Sequence, residues 1–174
     1  MSQASKQINW CIKKADKEIA ECKKQNKNPK HRGLLKIEPN LEEAKKHIEK
    51  AEHDLNVAEY LIKGGYADAS VGSLFYTMYQ CFLSISAKFG YESGNQTCTI
   101  YLIEYLKENK EINLDDRFVQ YFKYEEENQA SKSVIEMREN YTYGTIINAD
   151  KSKIDFFLEE CRKLIGITRE IIYK

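Results

Sequence analysis

The sequence has few of the residues that interrupt regular secondary structure. It contains two prolines and eight glycines in 174 residues, whereas lysine, glutamate, leucine and isoleucine are plentiful. This balance favours long helices over turn-rich β structure. The chain also lacks an apolar run near the roughly 20 residues that cross a bilayer, and its N-terminus lacks the charged-then-apolar order of a signal peptide. We therefore expect a cytoplasmic, all-α protein with no membrane partner.

The cysteines do not form a recognisable set. They are odd in number, widely scattered and without a CxxC pair: Cys11, Cys22, Cys81, Cys98 and Cys161. This spacing argues against both a disulfide framework and a zinc knuckle, so we expect neither a metal site nor a cofactor. Cys11, Cys81 and Cys161 lie among apolar residues at helical spacing, where a reduced cysteine packs as a small hydrophobic side chain.

The net charge is zero overall but unevenly distributed. Residues 1–39 carry +6 and residues 40–174 carry −6. We therefore divide the chain into a basic N-terminal helix and linker (1–39) and an acidic helical body (40–174). A basic arm can steer towards nucleic acid or lie against the acidic body of its own or a partner chain. Because Trp10 is the only aromatic residue among these basic residues, we favour the second interpretation.

Apolar residues recur at spacings of three and four along most of the chain, which predicts helices. The segment 25–40 carries both prolines and should cross the surface, held by Leu34, Leu35 and Ile37. Long helices are predicted over 2–24, 40–63, 66–89 and 150–172, with shorter ones over 97–108 and, weakly, over 118–138. Asn40 and Glu43 have the spacing of a reciprocal capping box, and Thr97 is a plausible cap for the helix that it begins.

These helices predict an antiparallel, up-and-down helical bundle with an extra N-terminal helix. The 66–89 segment is apolar or small almost all round, so it should be central. Ala69, Gly72 and Ser73 share one side of it, and a bulky residue at Gly72 is expected to overpack a neighbouring backbone by roughly 1–3 kcal/mol. No strand is required.

The stretch IEMRENYTYG, residues 135–144, permits two interpretations. In one, a helix ends here with Gly144 as its left-handed cap, the tyrosine rings pack, and Arg138 is a surface arginine that pairs with Glu136 or Glu139. In the other, Arg138 and a nearby tyrosine form a polar site for phosphate.

Three segments from residue 40 onward resemble the HEPN domain (higher eukaryotes and prokaryotes nucleotide-binding). The first is AKKHIEKAEHDLNVAEYLIKGGYADASVGSLFYTMYQCFLSISAKFGYES, residues 44–93, similar to the two long helices of the family with their glycine–tyrosine joint. The second is MRENYTYG, residues 137–144, and the third is the closing helix. The resemblance covers about three quarters of the chain. It implies a helical bundle that dimerises, cuts RNA without a metal, and often accompanies a minimal nucleotidyltransferase as the toxin of a toxin–antitoxin pair.

The resemblance also assigns residues, with one departure. The family's Arg-x(4–6)-His motif falls on Arg138 and Tyr143, so the spacing is kept but the histidine is replaced. The planar guanidinium of arginine can donate paired hydrogen bonds to a phosphodiester. A phenol, whose ordinary pKa is near 10, is a poor base at neutral pH. The resemblance implies catalysis by Arg138 and Tyr143, RNA or nucleotide binding by Arg138, Asn140 and Tyr141, and AMP attachment at Tyr141 or Tyr143.

Three functions are compatible with these residues. The chain is a ribonuclease toxin or a close derivative, in which Arg138 binds the scissile phosphate and Tyr143 is a proton donor or ligand. Alternatively, it is a non-catalytic subunit that binds a nucleotide or docks a nucleotidyltransferase through the same cleft. A plain dimeric scaffold is favoured if Arg138 is buried in a salt bridge.

Overall fold

The computed structural model describes residues 2–123 and 133–174, and within them the regular secondary structure is almost entirely helical. The prediction of an all-α helical bundle is confirmed. Part of the helical stretch expected over 118–138 lies outside the described residues. The elements are α1 (Gln3–Lys24), β1 (Leu34–Lys36), α2 (Leu41–Lys63), α3 (Ala67–Lys88), β2 (Tyr91–Ser93), α4 (Gln96–Glu108), α5 (Asp116–Gln120), α6 (Val134–Tyr143) and α7 (Lys151–Tyr173).

Helix α3 is the centre of the bundle. It packs against α2, α4, α6 and α7, which is the position that its apolar sequence predicts. Its fully buried side chains include Leu74, Phe75, Met78, Phe82 and Ile85. In contrast, an ideal Cβ at Gly72 meets no atom within 4 Å. The expectation that Gly72 admits a close neighbouring backbone is therefore wrong, because that side of α3 faces open space.

Polar side chains cap the N-termini of most of the helices. Some of the capping residues and hydrogen bonds differ from those that the sequence predicts. The Asn40 side chain accepts a hydrogen bond from the Glu43 N–H at 2.9 Å, as expected of a helix cap. The capping box is only half formed, because the Asn40 N–H donates to the Ala87 carbonyl and the Glu43 carboxylate pairs with Lys46. Helix α4 is capped by Asn95, not by Thr97.

A two-stranded antiparallel sheet joins the N-terminal linker to the body. β1 pairs with β2, and Leu34 lies opposite Ser93. Leu34 is fully buried and anchors the linker as expected. Ile37 is 38% exposed, so it contributes less to this anchoring than expected. Strands of three residues are too short to show an alternating pattern, which is why the sequence does not predict them.

The expectation that Cys11 is a reduced core residue, and that the spacing argues against disulfides, is wrong for one pair. Cys11 and Cys98 form a disulfide, with their Cα atoms 5.9 Å apart, that joins α1 to α4. They are separated by 87 residues, so sequence spacing carries no sign of their proximity. Cys81 and Cys161 are free and buried, as expected, and burial raises the pKa of the Cys81 thiol to about 12.

The basic arm packs on the body through apolar side chains. Ala4, Ile8, Cys11 and Ala15 of α1 are buried, and α1 lies against α4 and β1. The arm does lie on its own chain, but apolar burial holds it there and most of its lysines face outward. Within the described residues, no helix combines the length and the apolar character needed to cross a bilayer.

Candidate phosphate site on helix α6

Helix α6 carries every residue of the predicted site. It begins at the Ser133 cap, whose side chain accepts from the Glu136 N–H at 3.3 Å, and it runs to Tyr143. The predicted helix end near Arg138 is thus five residues too early, since no breaker occurs before Gly144. Arg138 therefore lies within a helix, where the backbone fixes the direction of its side chain.

Gly144 ends α6 in a manner that differs from the prediction. Its φ of −85° and ψ of −177° are extended, so it is not a left-handed cap. The Gly144 N–H donates to the Asn140 carbonyl at 3.1 Å and completes the last helical turn. A Cβ at this position would collide with the same carbonyl oxygen. Glycine is required here by this close approach to Asn140.

The Arg138 guanidinium lies over an aromatic ring of the central helix. Its Cζ is 4.1 Å from the centroid of Phe75, and the side chain is 20% exposed. The nearest carboxylate contact joins Arg138 Nη2 to Glu139 Oε1 at 4.0 Å, which is too long for a hydrogen bond. The buried Arg138 Nε–H has no hydrogen-bond partner among the described residues. Arg138 is therefore not a freely solvated surface arginine, and it forms no buried salt bridge with the residues that the structure describes.

Phe75 is a site residue that the sequence analysis missed. Its ring is 1% exposed and is held by contacts with Tyr76, Tyr79 and Phe122 at centroid distances of 5.2, 6.1 and 5.4 Å. A cation above an aromatic face gains roughly 0.5–2 kcal/mol, depending on desolvation. Phe75 thus helps to hold the Arg138 guanidinium in place. The aromatic character of residues 75–79 is visible in the sequence, but the contact with α6 is not.

The two tyrosines of α6 have different environments. Tyr141 packs against the core, and its hydroxyl oxygen accepts a hydrogen bond from the Asp150 N–H at 3.2 Å, which ties α6 to the start of α7. Tyr143 is 79% exposed. At about 100° per residue, Tyr143 points roughly 140° away from Arg138 and Tyr141 roughly 60° away. The structure therefore places Arg138 closer in direction to Tyr141, whereas Asn140 is exposed and points roughly 160° away from Arg138.

A second polar cluster lies where α5 meets α7, and it is structural. Glu160 is 2% exposed. Its carboxylate accepts hydrogen bonds from Tyr121 Oη at 2.9 Å and Lys163 Nζ at 2.8 Å, and it forms an ion pair with Arg117 Nε at 3.0 Å. Burial and the neighbouring carboxylate raise the pKa of Tyr121 above its usual value. Two cations and a hydroxyl satisfy this buried charge, which leaves the α6 site as the candidate for ligand binding.

Comparison with protein families agrees with this architecture. The sequence matches the model of the HEPN domain over residues 44–173, about three quarters of the chain. The chain belongs to the HEPN domain family. This places it in a general family of RNA-binding and ribonuclease-like domains. Among curated proteins, no sequence matches the chain.

The HEPN match begins at Ala44, in the first turn of α2, and ends at Tyr173, where α7 ends. It thus contains α3 with Phe75 and α6 with Arg138. Helix α1, the linker and β1 precede the matched region. The disulfide between Cys11 and Cys98 therefore joins a segment outside the HEPN match to a helix inside it.

Proposed function

We propose that this HEPN protein binds RNA through Arg138 and cuts it, without a metal ion, as the toxin component of a HEPN/nucleotidyltransferase pair. The observation that carries the proposal is the Arg138 guanidinium, which is held over Phe75 and, among the described residues, makes no carboxylate contact shorter than 4.0 Å. A buried donor without a partner costs about 1–3 kcal/mol. An arginine that is fixed in direction and not neutralised by a close carboxylate is suited to a phosphodiester.

In the reaction assigned to this site, the RNA 2′-oxygen attacks the adjacent phosphorus to form a 2′,3′-cyclic phosphate, and the bond from phosphorus to the 5′ oxygen breaks. The 2′-hydroxyl proton passes to solvent, which later returns a proton to the group that protonates the 5′ oxygen. Arg138 neutralises the developing charge on the phosphate oxygens. Tyr143 replaces the histidine of the family motif, and a protonated phenol donates a proton to the leaving 5′ oxygen. Asn140 and Tyr141 add hydrogen bonds to RNA. Since Tyr143 and Arg138 diverge on one helix, we propose that they act together across a homodimer cleft.

Exposed apolar side chains support the homodimer. Ile146 and Ile147 are 53% and 78% exposed and adjacent in the chain, which is unusual for a surface that contacts only water. Sedimentation of the purified protein is expected to show a dimer, and Ile147→Glu is expected to shift it towards monomer. A monomeric wild-type protein at micromolar concentration would contradict this part of the proposal.

The test of the RNA site compares three variants of the full chain in EDTA. Arg138→Lys keeps the positive charge but loses the planar guanidinium with its paired hydrogen-bond donors. Arg138→Ala loses both the charge and these donors. Arg169→Lys is the matched control, since Arg169 is an exposed arginine of α7 that pairs with Glu52. We expect both Arg138 variants to lose about tenfold or more in RNA binding and cleavage, and the control to match wild type. Equal activity of all variants would refute the proposal.

The nucleotidyltransferase partner is expected to act on Tyr143. Modification by AMP requires an accessible hydroxyl, and Tyr143 is 79% exposed, whereas the Tyr141 hydroxyl is engaged by Asp150. Incubation with ATP and a co-purified nucleotidyltransferase is expected to add one AMP to wild type and none to Tyr143→Phe. Modification that persists in Tyr143→Phe but is lost in Tyr141→Phe would assign Tyr141 instead.

The second candidate is a non-catalytic subunit that binds a nucleotide or docks the nucleotidyltransferase through the same cleft. The tyrosine in place of the motif histidine favours it, because a phenol is a poor base near neutral pH. Calorimetry with ATP and with a co-purified partner distinguishes the two. Binding heat that depends on Arg138, together with intact RNA after prolonged incubation, supports the non-catalytic subunit.

A further inference from the structure

The exposed face of α1 carries a straight row of lysines. Lys6, Lys13, Lys17 and Lys24 are separated by seven, four and seven residues, so at about 100° per residue they lie within roughly 40° of one another around the helix. All four are exposed. The row spans eighteen residues, or about 27 Å at 1.5 Å per residue. We call these four residues the lysine row.

The lysine row lies opposite the face that packs on the body. The buried residues Ala4, Ile8, Cys11 and Ala15 fall roughly 180° away from it around the helix. Lys17 has a distant partner, Glu21 at 4.0 Å, and within the described chain no carboxylate forms an ion pair with the other three. The acidic body therefore does not neutralise the row, and the basic face of the +6 arm is open to a partner.

An exposed aromatic residue and a cleft lie beside the lysine row. Trp10 is 55% exposed, and Lys14 Nζ lies 5.1 Å from the centroid of its ring. A cleft of about 380 Å³ between α1 and α4 is lined by Trp10, Lys6, Tyr101 and three polar residues. Cationic side chains beside an exposed aromatic ring are the combination that binds single-stranded nucleic acid, where the cations contact phosphates and a base stacks on the ring.

We propose that α1 is a docking surface for single-stranded RNA, in which the lysine row contacts the phosphates and Trp10 stacks one base. The inference rests on the proposed function, because it extends RNA binding to a segment outside the HEPN match. A membrane surface fits less well, because a membrane-binding helix needs a free apolar face and that of α1 is buried on α4. The −6 charge of the remaining chain favours approach of RNA to α1.

The first test uses Trp10 as its own probe, since it is the only tryptophan of the chain. Addition of an oligouridylate of about twelve nucleotides, within the usual size of single-strand sites, is expected to quench the tryptophan fluorescence. Trp10→Ala is expected to weaken binding of the labelled oligonucleotide about 5- to 100-fold, as measured by anisotropy. An unchanged fluorescence spectrum at saturating RNA would overturn the proposal.

The second test compares two matched triple variants. One is Lys6→Gln/Lys13→Gln/Lys24→Gln, and the control is Lys46→Gln/Lys63→Gln/Lys174→Gln, which removes the same charge from exposed positions on other elements. Each phosphate contact on a single strand contributes about 0.7 to the slope of log K against log salt. We expect the magnitude of this slope to be about 2 smaller in the first variant than in wild type. The control should keep the wild-type slope. Equal slopes in the two variants would overturn the proposal.

Two further experiments distinguish this inference from the proposed function and from binding of other partners. Arg138→Ala is expected to keep the fluorescence quenching by RNA even where cleavage is lost, because different elements form the two sites. If Arg138→Ala abolishes the quenching, α1 is not an independent site. Anionic vesicles and polyglutamate are expected to leave Trp10 fluorescence unchanged, and quenching by either to the same extent as RNA would assign the surface to that class of partner.

Discussion

At the scale of single residues, the site depends on one contact between helices. Arg138 lies 4.1 Å from the ring centroid of Phe75, and its shortest carboxylate contact among the described residues, at 4.0 Å, is too long for a hydrogen bond. Such a contact orients the guanidinium without neutralising it, since an aromatic face carries no net charge to compete with a phosphate. The described residues therefore give no support to the hypothesis of a scaffold with Arg138 in a buried salt bridge.

Replacement of the ring under Arg138 tests this role. Phe75→Leu keeps the core filled but removes the aromatic face, so we expect RNA affinity to fall about fivefold, in line with a cation–π contribution of about 1 kcal/mol. Phe82→Leu is the matched control, because Phe82 is an equally buried phenylalanine of α3. Both variants should lose similar free energy of unfolding in urea. An equal loss of RNA affinity in both would show that Phe75 acts only through stability.

Thiol chemistry gives a second prediction at this scale. Native protein without reductant is expected to expose only Cys22 to a thiol reagent, because Cys81 and Cys161 are buried and Cys11 and Cys98 are bonded to each other. Raising the pH from 7 to 9 should not label Cys81, since burial raises its thiol pKa to about 12 and the thiolate stays rare. Unfolding should release three thiols, and unfolding with reductant five. Five without reductant would contradict the disulfide.

At the scale of secondary structure elements, periodicity predicts the long helices well. The predicted 150–172 helix differs from α7, Lys151–Tyr173, by one residue at each end. Its weak position is Gly166, which lies exposed in mid-helix with no atom within 4 Å of an ideal Cβ. Glycine in such a position costs stability because of its backbone freedom.

Alanine at Gly166 is therefore expected to raise the free energy of unfolding by about 1 kcal/mol. Urea denaturation measures this change. Gly33→Ala is the contrasting variant, because a Cβ there would collide with the Cys11 carbonyl of α1, and it should lower the free energy of unfolding. A loss of stability in Gly166→Ala would indicate that this face of α7 is covered in the native assembly.

At the scale of the whole molecule, the N-terminal arm is an integral part of the fold. The disulfide, the β1–β2 ladder and the apolar face of α1 all connect residues 3–36 to the body. These contacts keep the lysine row turned outward. Without the disulfide and the β1–β2 ladder, burial of small alanine side chains alone would leave the position of α1 on the body much less defined.

Removal of the disulfide is expected to destabilise the chain. Cys11→Ser/Cys98→Ser should lower the free energy of unfolding by about 2–4 kcal/mol, because the link restrains the unfolded chain across 87 residues. Reductant should lower the stability of wild type and leave the double variant unchanged. Cys22→Ser, the control, should respond to reductant like wild type. Insensitivity of wild-type stability to reductant would contradict the prediction.

The sequence by itself determined the all-α class, the positions of the long helices, the central place of α3 and the HEPN resemblance. The first three follow from periodicity and composition, and the resemblance rests on the three quoted segments; all are local properties of the chain. Only the tertiary structure decided the contact of Arg138 with Phe75, the pairing of Cys11 with Cys98, the short sheet and the outward direction of the lysine row. Each of these depends on residues far apart in the sequence that packing brings together, and no local pattern records which of them become neighbours.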